Sequence, residues 1–242
     1  LYPVVPTPML DNDAIDVKGF KACVDFYLET DVSGVTILGS GGELPYLSDE
    51  EQYELINEAS LHIQGKKPII AGVNAFSSHQ ALQKINHYRS HAQVVMLLMQ
   101  RYYDWSFTDF SKVISDIASK SPLPVIYYHF PQVSGYWLSP GQIVSLMEID
   151  NIVGIKDSSL NNYAAKKILM SGACENYFTA LSLFLPRLYP LGGRKAICPI
   201  AAIHPKTAQK VYEACVAGSE LESNGEFRSL MALLPIASNP EQ

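Results

Sequence analysis

The chain has 242 residues and a mass of 26.7 kDa, a length that admits one large domain or two small ones and fits an α/β barrel of about 250 residues as a single unit. Eighteen Lys and Arg against 24 Asp and Glu give a formal charge of −6 and a pI near 5.5, with no basic run longer than a pair, which excludes nucleic acid as an expected partner. Charged residues make up only 17%, below the roughly 25% of an average soluble domain, so part of the surface is expected to be covered by other subunits of a homo-oligomer, a dimer or tetramer.

The opening Leu1-Tyr2-Pro3-Val4-Val5-Pro6 has no basic n-region, so it is not read as a signal peptide, and with no initiator Met it leaves open a native start upstream. From there, eight short β-branched or aromatic apolar runs recur: Tyr2–Pro6, Gly34–Leu38, Pro68–Val73, Gln93–Met99, Pro124–Phe130, Ile152–Lys156, Tyr177–Leu181 and Ala196–Ile200. Most are continuously apolar, as in strands of a parallel sheet covered on both faces.

Helix signals fill the gaps. Ser48-Asp49-Glu50-Glu51 predicts a capping box, and Ser77 and Ser78 can cap Gln80–His91. Ser106 starts a segment reaching Lys120, and Ser139-Pro140 places Pro at the first helical position before Gly141–Ile149. The pattern is (βα)₈, a single TIM barrel over residues 1–218, for which an open doubly wound sheet is the competitor. Residues 219–242 are more polar and begin one further helix, Phe227–Leu234.

The longest uncharged apolar stretch, Ala196–Ile203, has eight residues and contains Pro199, far short of the roughly 18 that a membrane helix needs. Cys23, Cys174, Cys198 and Cys215 form no C-x-x-C pair and are read as reduced thiols of a cytoplasmic protein.

In an α/β barrel the chemistry sits at the C-terminal ends of the strands. The sixth run, Ile152-Val153-Gly154-Ile155-Lys156-Asp157, carries an apolar strand straight into a lysine. Partial desolvation there favours a neutral amine able to attack a ketone, whereas the plain alternatives are a lysine snorkelling to solvent or paired with Asp157. The fifth run ends in Tyr127-Tyr128-His129-Phe130-Pro131, where alternation turns one tyrosine inward, either as core or as a proton shuttle. Leu38-Gly39-Ser40-Gly41-Gly42-Glu43 lacks the P-loop and Rossmann fingerprints. It is a plain turn, or one whose N–H groups and Ser40 hydroxyl hold a carboxylate.

His87 and His91 have the spacing of a two-His metal face on one predicted helix, but with no third ligand a solvated face is the expected reading. Gly192-Gly193-Arg194-Lys195, just before the eighth run, is a weak candidate for a phosphate site.

Together these segments resemble the dihydrodipicolinate synthase and N-acetylneuraminate lyase family of pyruvate-type class I aldolases, over Val5-Pro6-Thr7-Pro8 to about Gly218. Gly39–Glu43 with Leu47-Ser48 looks like the family's G-x-x-G-E…L-[ST] signature. Leu123–Pro131 looks like its L-P-x-x-x-Y-N-x-P segment, and Gly154–Ser159 like its G-[IVL]-K-[DE]-[AST]-[ST] segment.

The resemblance implies a TIM-barrel lyase that uses pyruvate or another 2-oxo acid and an aldehyde, with no cofactor and no metal. It makes Lys156 the Schiff-base lysine and Tyr128 the proton-relay tyrosine, with Ser40 joining the relay. Ser40 and Gly41 contact the carboxylate, Tyr103 reaches a neighbouring subunit's site, and the Ile197 carbonyl faces the ketoacid.

There are departures from the family pattern. Val133 stands where synthases carry an arginine for the aldehyde's carboxylate, so dihydrodipicolinate synthesis itself is disfavoured. Gly41 replaces a hydroxyl residue and His129, beside the site, replaces Asn. Lys195 and Ala202 stand for Gly and Asn, and the helical C-terminal extension is truncated or partly missing. The alternatives are a dehydratase or aldolase of 2-keto-3-deoxy sugar acids on the same site, a non-catalytic ketoacid-binding homologue, and a metal-dependent aldolase using His87 and His91.

Overall fold

The structure, a computed structural model, describes residues 1–172, 175–219 and 225–233. Its eight strands are β1 (Tyr2–Pro3), β2 (Val35–Ile37), β3 (Ile69–Ala75), β4 (Val94–Met99), β5 (Val125–His129), β6 (Ile152–Asp157), β7 (Tyr177–Thr179) and β8 (Lys195–Cys198). All pair in parallel in the order β1-β8-β7-β6-β5-β4-β3-β2. A bridge from Val4 to Thr36 and the bond from Val5 N–H to the Thr36 carbonyl, 2.9 Å, close the ring between β1 and β2. The closed (β/α)₈ barrel therefore stands and the open sheet does not.

Helices alternate with the strands: α1 (Val17–Leu28), α2 (Asp49–Ile63), α3 (Ser78–Tyr88), α4 (Phe107–Lys120), α5 (Pro131–Ser134), α6 (Pro140–Met147) and α7 (Asn162–Met170). Then come α8 (Leu185–Leu188), α9 (Pro199–Ile203), α10 (Pro205–Val216) and α11 (Gly225–Ala232). The expected caps form. Ser48 and Glu51 make the reciprocal box of α2, Ser77 accepts the Gln80 N–H at 3.2 Å, and Ser106 and Ser139 cap α4 and α6.

Three boundaries differ from expectation. The run Ala196–Ile200 splits because Pro199, which has no N–H for the ladder, takes the first position of α9. The helix expected to reach His91 stops at Tyr88, whose carbonyl accepts both the His91 and Ala92 N–H groups, and the His87 and His91 rings lie 6.3 Å apart without a third ligand beside them among the described residues. The last helix runs Gly225–Ala232 rather than Phe227–Leu234, and Leu234 lies outside the described residues.

Alternation along the strands sorts side chains into two layers. Val4, Ile70, Met96, Leu98, Ile126, Tyr128, Phe178 and Ile197 fill the barrel, while Val35, Val73, Val95, Tyr127 and Ile155 pack outward under the helices. α11 lays Leu230 on Ala208, Val211 and Cys215 of α10. Cys23, Cys198 and Cys215 are free thiols, and Cys174 lies outside the described residues. Among the described residues no helix is long and apolar enough to cross a membrane.

Candidate active site

The site begins with a register shift. β5 and β6 pair Val125 with Ile152 but Ile126 with Gly154, so Val153 is an extra residue on β6. Without it Tyr128 would sit opposite Ile155; with it Tyr128 sits opposite Lys156, on the inward face of the barrel. Gly154 tolerates the crowding because it has no side chain: a Cβ there would lie 2.7 Å from the Asn176 carbonyl oxygen. The result is a lysine only 3% exposed whose Nζ lies 4.0 Å from the centroid of the Tyr128 ring. Neither plain alternative for Lys156 describes this arrangement. The amine does not reach solvent, and the Asp157 carboxylate faces the other way, accepting from Tyr177 Oη at 2.8 Å and from the Ser159 N–H at 2.9 Å.

The second component is the turn after β2. Leu38 adopts φ +60°, a left-handed conformation that costs a bulky residue about 1–2 kcal/mol. Gly72 on β3 accommodates it, since a Cβ at that position would lie 1.7 Å from the Leu38 carbonyl oxygen. The chain then enters a 3₁₀ turn, Ser40–Gly42, and reverses again at Glu43, φ +60°. This geometry sets Ser40 Oγ 3.4 Å from Tyr128 Oη, and from the opposite side Ser158 Oγ donates to Tyr128 Oη at 3.3 Å. Ser158 is itself held by its N–H on the His129 carbonyl at 2.8 Å.

Tyr128 is therefore a buried phenol among hydroxyls and one amine. Burial pushes its pKa up, but the Lys156 charge and the hydrogen bonds from Ser158, Ser40 and Lys156 outweigh burial, so it lies below the ordinary tyrosine value. Tyr127, outward, buried and without a partner for its hydroxyl among the described residues, is pushed far above that value by burial. The two tyrosines thus differ in the chemistry open to them: only Tyr128 is poised to exchange a proton with its neighbours.

A small cavity adjoins this group, walled by Ser40, Gly72, Asn74, Met96, Leu98 and Tyr128 among others. Ser40 and Tyr128 wall it, Lys156 lies over the Tyr128 ring, and Ile197 is buried in the same interior layer as Tyr128. Gly41 is exposed on the Ser40 turn, where a Cβ would meet only Val4 at 3.5 Å, an ordinary contact.

Other named residues stand apart. The His129 side chain follows Tyr127 to the outer layer; it is 1% exposed, with Nδ1 unpartnered among the described residues and its basicity lowered by burial against an opposing pull from Asp157. Tyr103 is 74% exposed with its ring on Tyr102. Val133, on α5, is exposed and brings no charge. Lys195 Nζ donates to Asn176 Oδ1 at 2.9 Å, and the Ala202 carbonyl accepts from Tyr27 Oη at 3.0 Å. Arg194 is stacked 3.9 Å over the Tyr189 ring, and His87 is stacked on Tyr53 at 3.8 Å. Among the described residues no three His, Cys, Asp or Glu side chains gather as a metal would need.

Two residues beside Tyr128 or its cavity escaped the sequence reading. Ser158 was signalled by its place two residues past Lys156, which returns it to the same side of the chain. Asn74 was signalled by being the only polar residue in β3, one position beyond the apolar run as drawn to Val73.

Known proteins similar to this chain identify its family. Residues 1–240 match the model of the dihydrodipicolinate synthetase family. A 4-hydroxy-tetrahydrodipicolinate synthase of Nitrosomonas europaea is 29% identical over 222 residues, 88% of this chain and 74% of that protein. Among solved structures, the family protein YagE of E. coli K12, in complex with pyruvate, superposes with a TM-score of 0.86 at 23% identity, covering 95% of this chain and 80% of that one. An N-acetylneuraminate lyase of Mycoplasma synoviae gives 0.81 at 21%, covering 97% and 86%. The chain belongs to the dihydrodipicolinate synthetase family, lyases of the aldolase type that act on pyruvate-type substrates.

Proposed function

We propose that this protein is a Schiff-base aldolase that joins pyruvate, or another 2-oxo acid, to an aldehyde or reverses that step, with residues 1–218 as its catalytic barrel. The observation that carries this reading is the buried Lys156 amine lying over Tyr128, whose hydroxyl bridges Ser40 and Ser158. Lys156 attacks the C2 carbonyl, Tyr128 protonates the departing hydroxyl, and water leaves to give an iminium. In the cleavage direction the C4 hydroxyl gives its proton to Tyr128 as the C3–C4 bond breaks. The bonding pair moves into the iminium, releasing the aldehyde and leaving an enamine. Protonation at C3 and hydrolysis return pyruvate and the free amine. These steps call on no metal or organic cofactor.

The N–H groups of the turn at Ser40 and Gly41 hold the carboxylate, which keeps C2 within reach of the amine. Ile197 lends its backbone carbonyl beside the ketoacid, and His129 acts through the strand end that carries Tyr128. Tyr103, exposed on this chain, completes the site of a neighbouring copy in a homo-oligomer. With Val133 rather than a cation on α5, the aldehyde carries no carboxylate there, which argues against dihydrodipicolinate synthesis.

Incubation with pyruvate and borohydride tests the proposal. The protein should gain the mass of reduced pyruvate on Lys156, and Lys156→Ala should gain none; wild-type protein left unmodified under conditions that label a known aldolase refutes it.

A further inference from the structure

Arg101 ties together two loops at the mouth of the barrel. It stands two residues past the end of β4, and the chain from Arg101 to Trp105 makes no backbone hydrogen bond among the described residues before Ser106 caps α4. Side chains therefore shape this segment, with the Arg101 guanidinium at their centre. Nη1 meets Asp104 Oδ1 at 2.7 Å, closing the segment on itself around Tyr102 and Tyr103. Nη2 donates to the carbonyl of Gly135, the C-cap of α5, and the guanidinium carbon lies 5.2 Å from the centroid of the Tyr136 ring. Tyr136 is stacked in turn on Phe110 of α4, ring centroids 4.3 Å apart, so the brace stands on the core.

The two arms differ in weight. The Asp104 side chain is 94% exposed, and an ion pair in water contributes under about 1 kcal/mol, too little to hold a loop alone. The Arg101 side chain is only 27% exposed, because its other arm rests on a backbone carbonyl and an aromatic face. The end of α5 thus fixes Arg101, and Asp104 hangs from it. What the brace displays is Tyr102 and Tyr103, two exposed rings packed edge-on against each other. Adjacent aromatic rings held out in water on a braced loop are explained by a partner that covers them.

We propose that Arg101 is a positioning residue for the active site of a neighbouring copy: it sets the place and direction from which Tyr103 enters that site. This rests on the reading of Tyr103 given above. Because α5 begins two residues past the end of β5, the brace refers the Tyr103 loop to the strand that carries Tyr128. A planar fork reaches Asp104 and the Gly135 carbonyl at once while lying on Tyr136; the single ammonium of a lysine does not.

Exchange of the C3 hydrogens of pyruvate for deuterium in heavy water, followed by NMR, reads enamine formation without an aldehyde. Arg101→Ala should slow exchange at saturating pyruvate about tenfold with half-saturation unchanged, and Arg101→Lys, which keeps the charge and loses the fork, should do the same. Borohydride should still trap pyruvate on Lys156 of both. The decisive measurement is coexpression of either variant with Lys156→Ala, which lends an intact Tyr103 loop to its partner's Lys156. Randomly paired chains should recover to about a quarter of wild-type exchange, against about a twentieth if the defect stays within its own chain. Tyr103→Phe coexpressed with Lys156→Ala is the reference. Recovery there but not with the Arg101 variants, or near wild-type exchange in both Arg101 variants alone, overturns this inference by itself. No recovery with Tyr103→Phe overturns the reading of Tyr103 and this inference with it, and wild-type protein that pyruvate and borohydride do not label overturns the Schiff-base reading.

Discussion

Removing one oxygen atom from each of two adjacent tyrosines should give opposite results. Tyr127 and Tyr128 are both buried, but Tyr127 packs outward in edge contact with Phe110, ring centroids 5.6 Å apart, and its hydroxyl has no partner among the described residues. Burying an unpaired hydroxyl costs about 1–3 kcal/mol, so Tyr127→Phe removes a cost and loses only the contacts of one atom. It should unfold about 2–12 °C above wild type, since 1 kcal/mol moves the midpoint of a chain this size by roughly 2–4 °C, and its turnover should be unchanged.

Tyr128→Phe keeps the ring beneath Lys156 and loses the hydroxyl that bridges Ser40 and Ser158 at 3.4 and 3.3 Å. Losing two neutral hydrogen bonds costs about 1–3 kcal/mol in stability. The larger effect is on chemistry: without the proton carrier, kcat for carbon–carbon cleavage should fall by about 10²- to 10⁴-fold. Borohydride should still trap pyruvate on Lys156, more slowly, because the amine remains. Thermal unfolding, a pyruvate-coupled cleavage assay and intact mass after trapping report these quantities separately. Turnover within tenfold of wild type for Tyr128→Phe, or a collapse for Tyr127→Phe, would refute the assignment of the inward tyrosine as the proton carrier.

Gly72→Ala should cost about 1–3 kcal/mol by overpacking and reduce cleavage about 100-fold, because its Cβ, 1.7 Å from the Leu38 carbonyl oxygen, must push the Ser40 turn out of place. Gly141→Ala, whose Cβ would meet nothing within 4 Å, is the control and should leave both unchanged. Lys156→Met removes the charge that holds Tyr128 down and leaves burial in command, so an ultraviolet titration referenced to Tyr128→Phe should show the phenol ionising below its ordinary value of 10 in wild type and above it in the variant. His129, depressed below its ordinary 6.5 by burial, binds fewer protons folded than unfolded. Stability measured by urea unfolding should therefore fall as pH drops through 6.5, and His129→Asn should flatten that fall.

The barrel was legible because each strand declares itself by the same physics. A continuously apolar run between turn residues can be buried on both faces, and the caps Ser48, Ser77, Ser106 and Ser139 mark helix starts with side chains that satisfy orphan N–H groups. What failed was local. The end of α3 was overdrawn because nothing in Arg89-Ser90-His91 breaks a helix; the stop comes from the Tyr88 carbonyl closing a turn on two N–H groups. Lys156 stood out as a charge ending an apolar strand, whereas Asn74 was one residue past the run and Ser158 one residue past the charged pair. The choice between Tyr127 and Tyr128 was not available from alternation alone, since period two gives opposite faces without saying which is inside. That choice depends on the extra residue at Val153, a register fact that no single strand carries.

The same extra residue decides what kind of lysine Lys156 is. On β6 the charged pair Lys156-Asp157 must divide between two faces, so whichever residue enters the barrel leaves the other behind the wall. With the shift, the amine meets the Tyr128 ring while the carboxylate meets Tyr177 and the Ser159 N–H outside. A carboxylate on the inner face would hold the ammonium in a buried ion pair, an arrangement that opposes loss of the proton and therefore nucleophilic attack. Lys156 lies instead over the ring of Tyr128, whose hydroxyl bonds Ser40 and Ser158, groups that can both give and accept a proton. Asp157 serves from the other side of the strand, where its bonds to Tyr177 and Ser159 fix the end of β6 and with it the direction of Lys156.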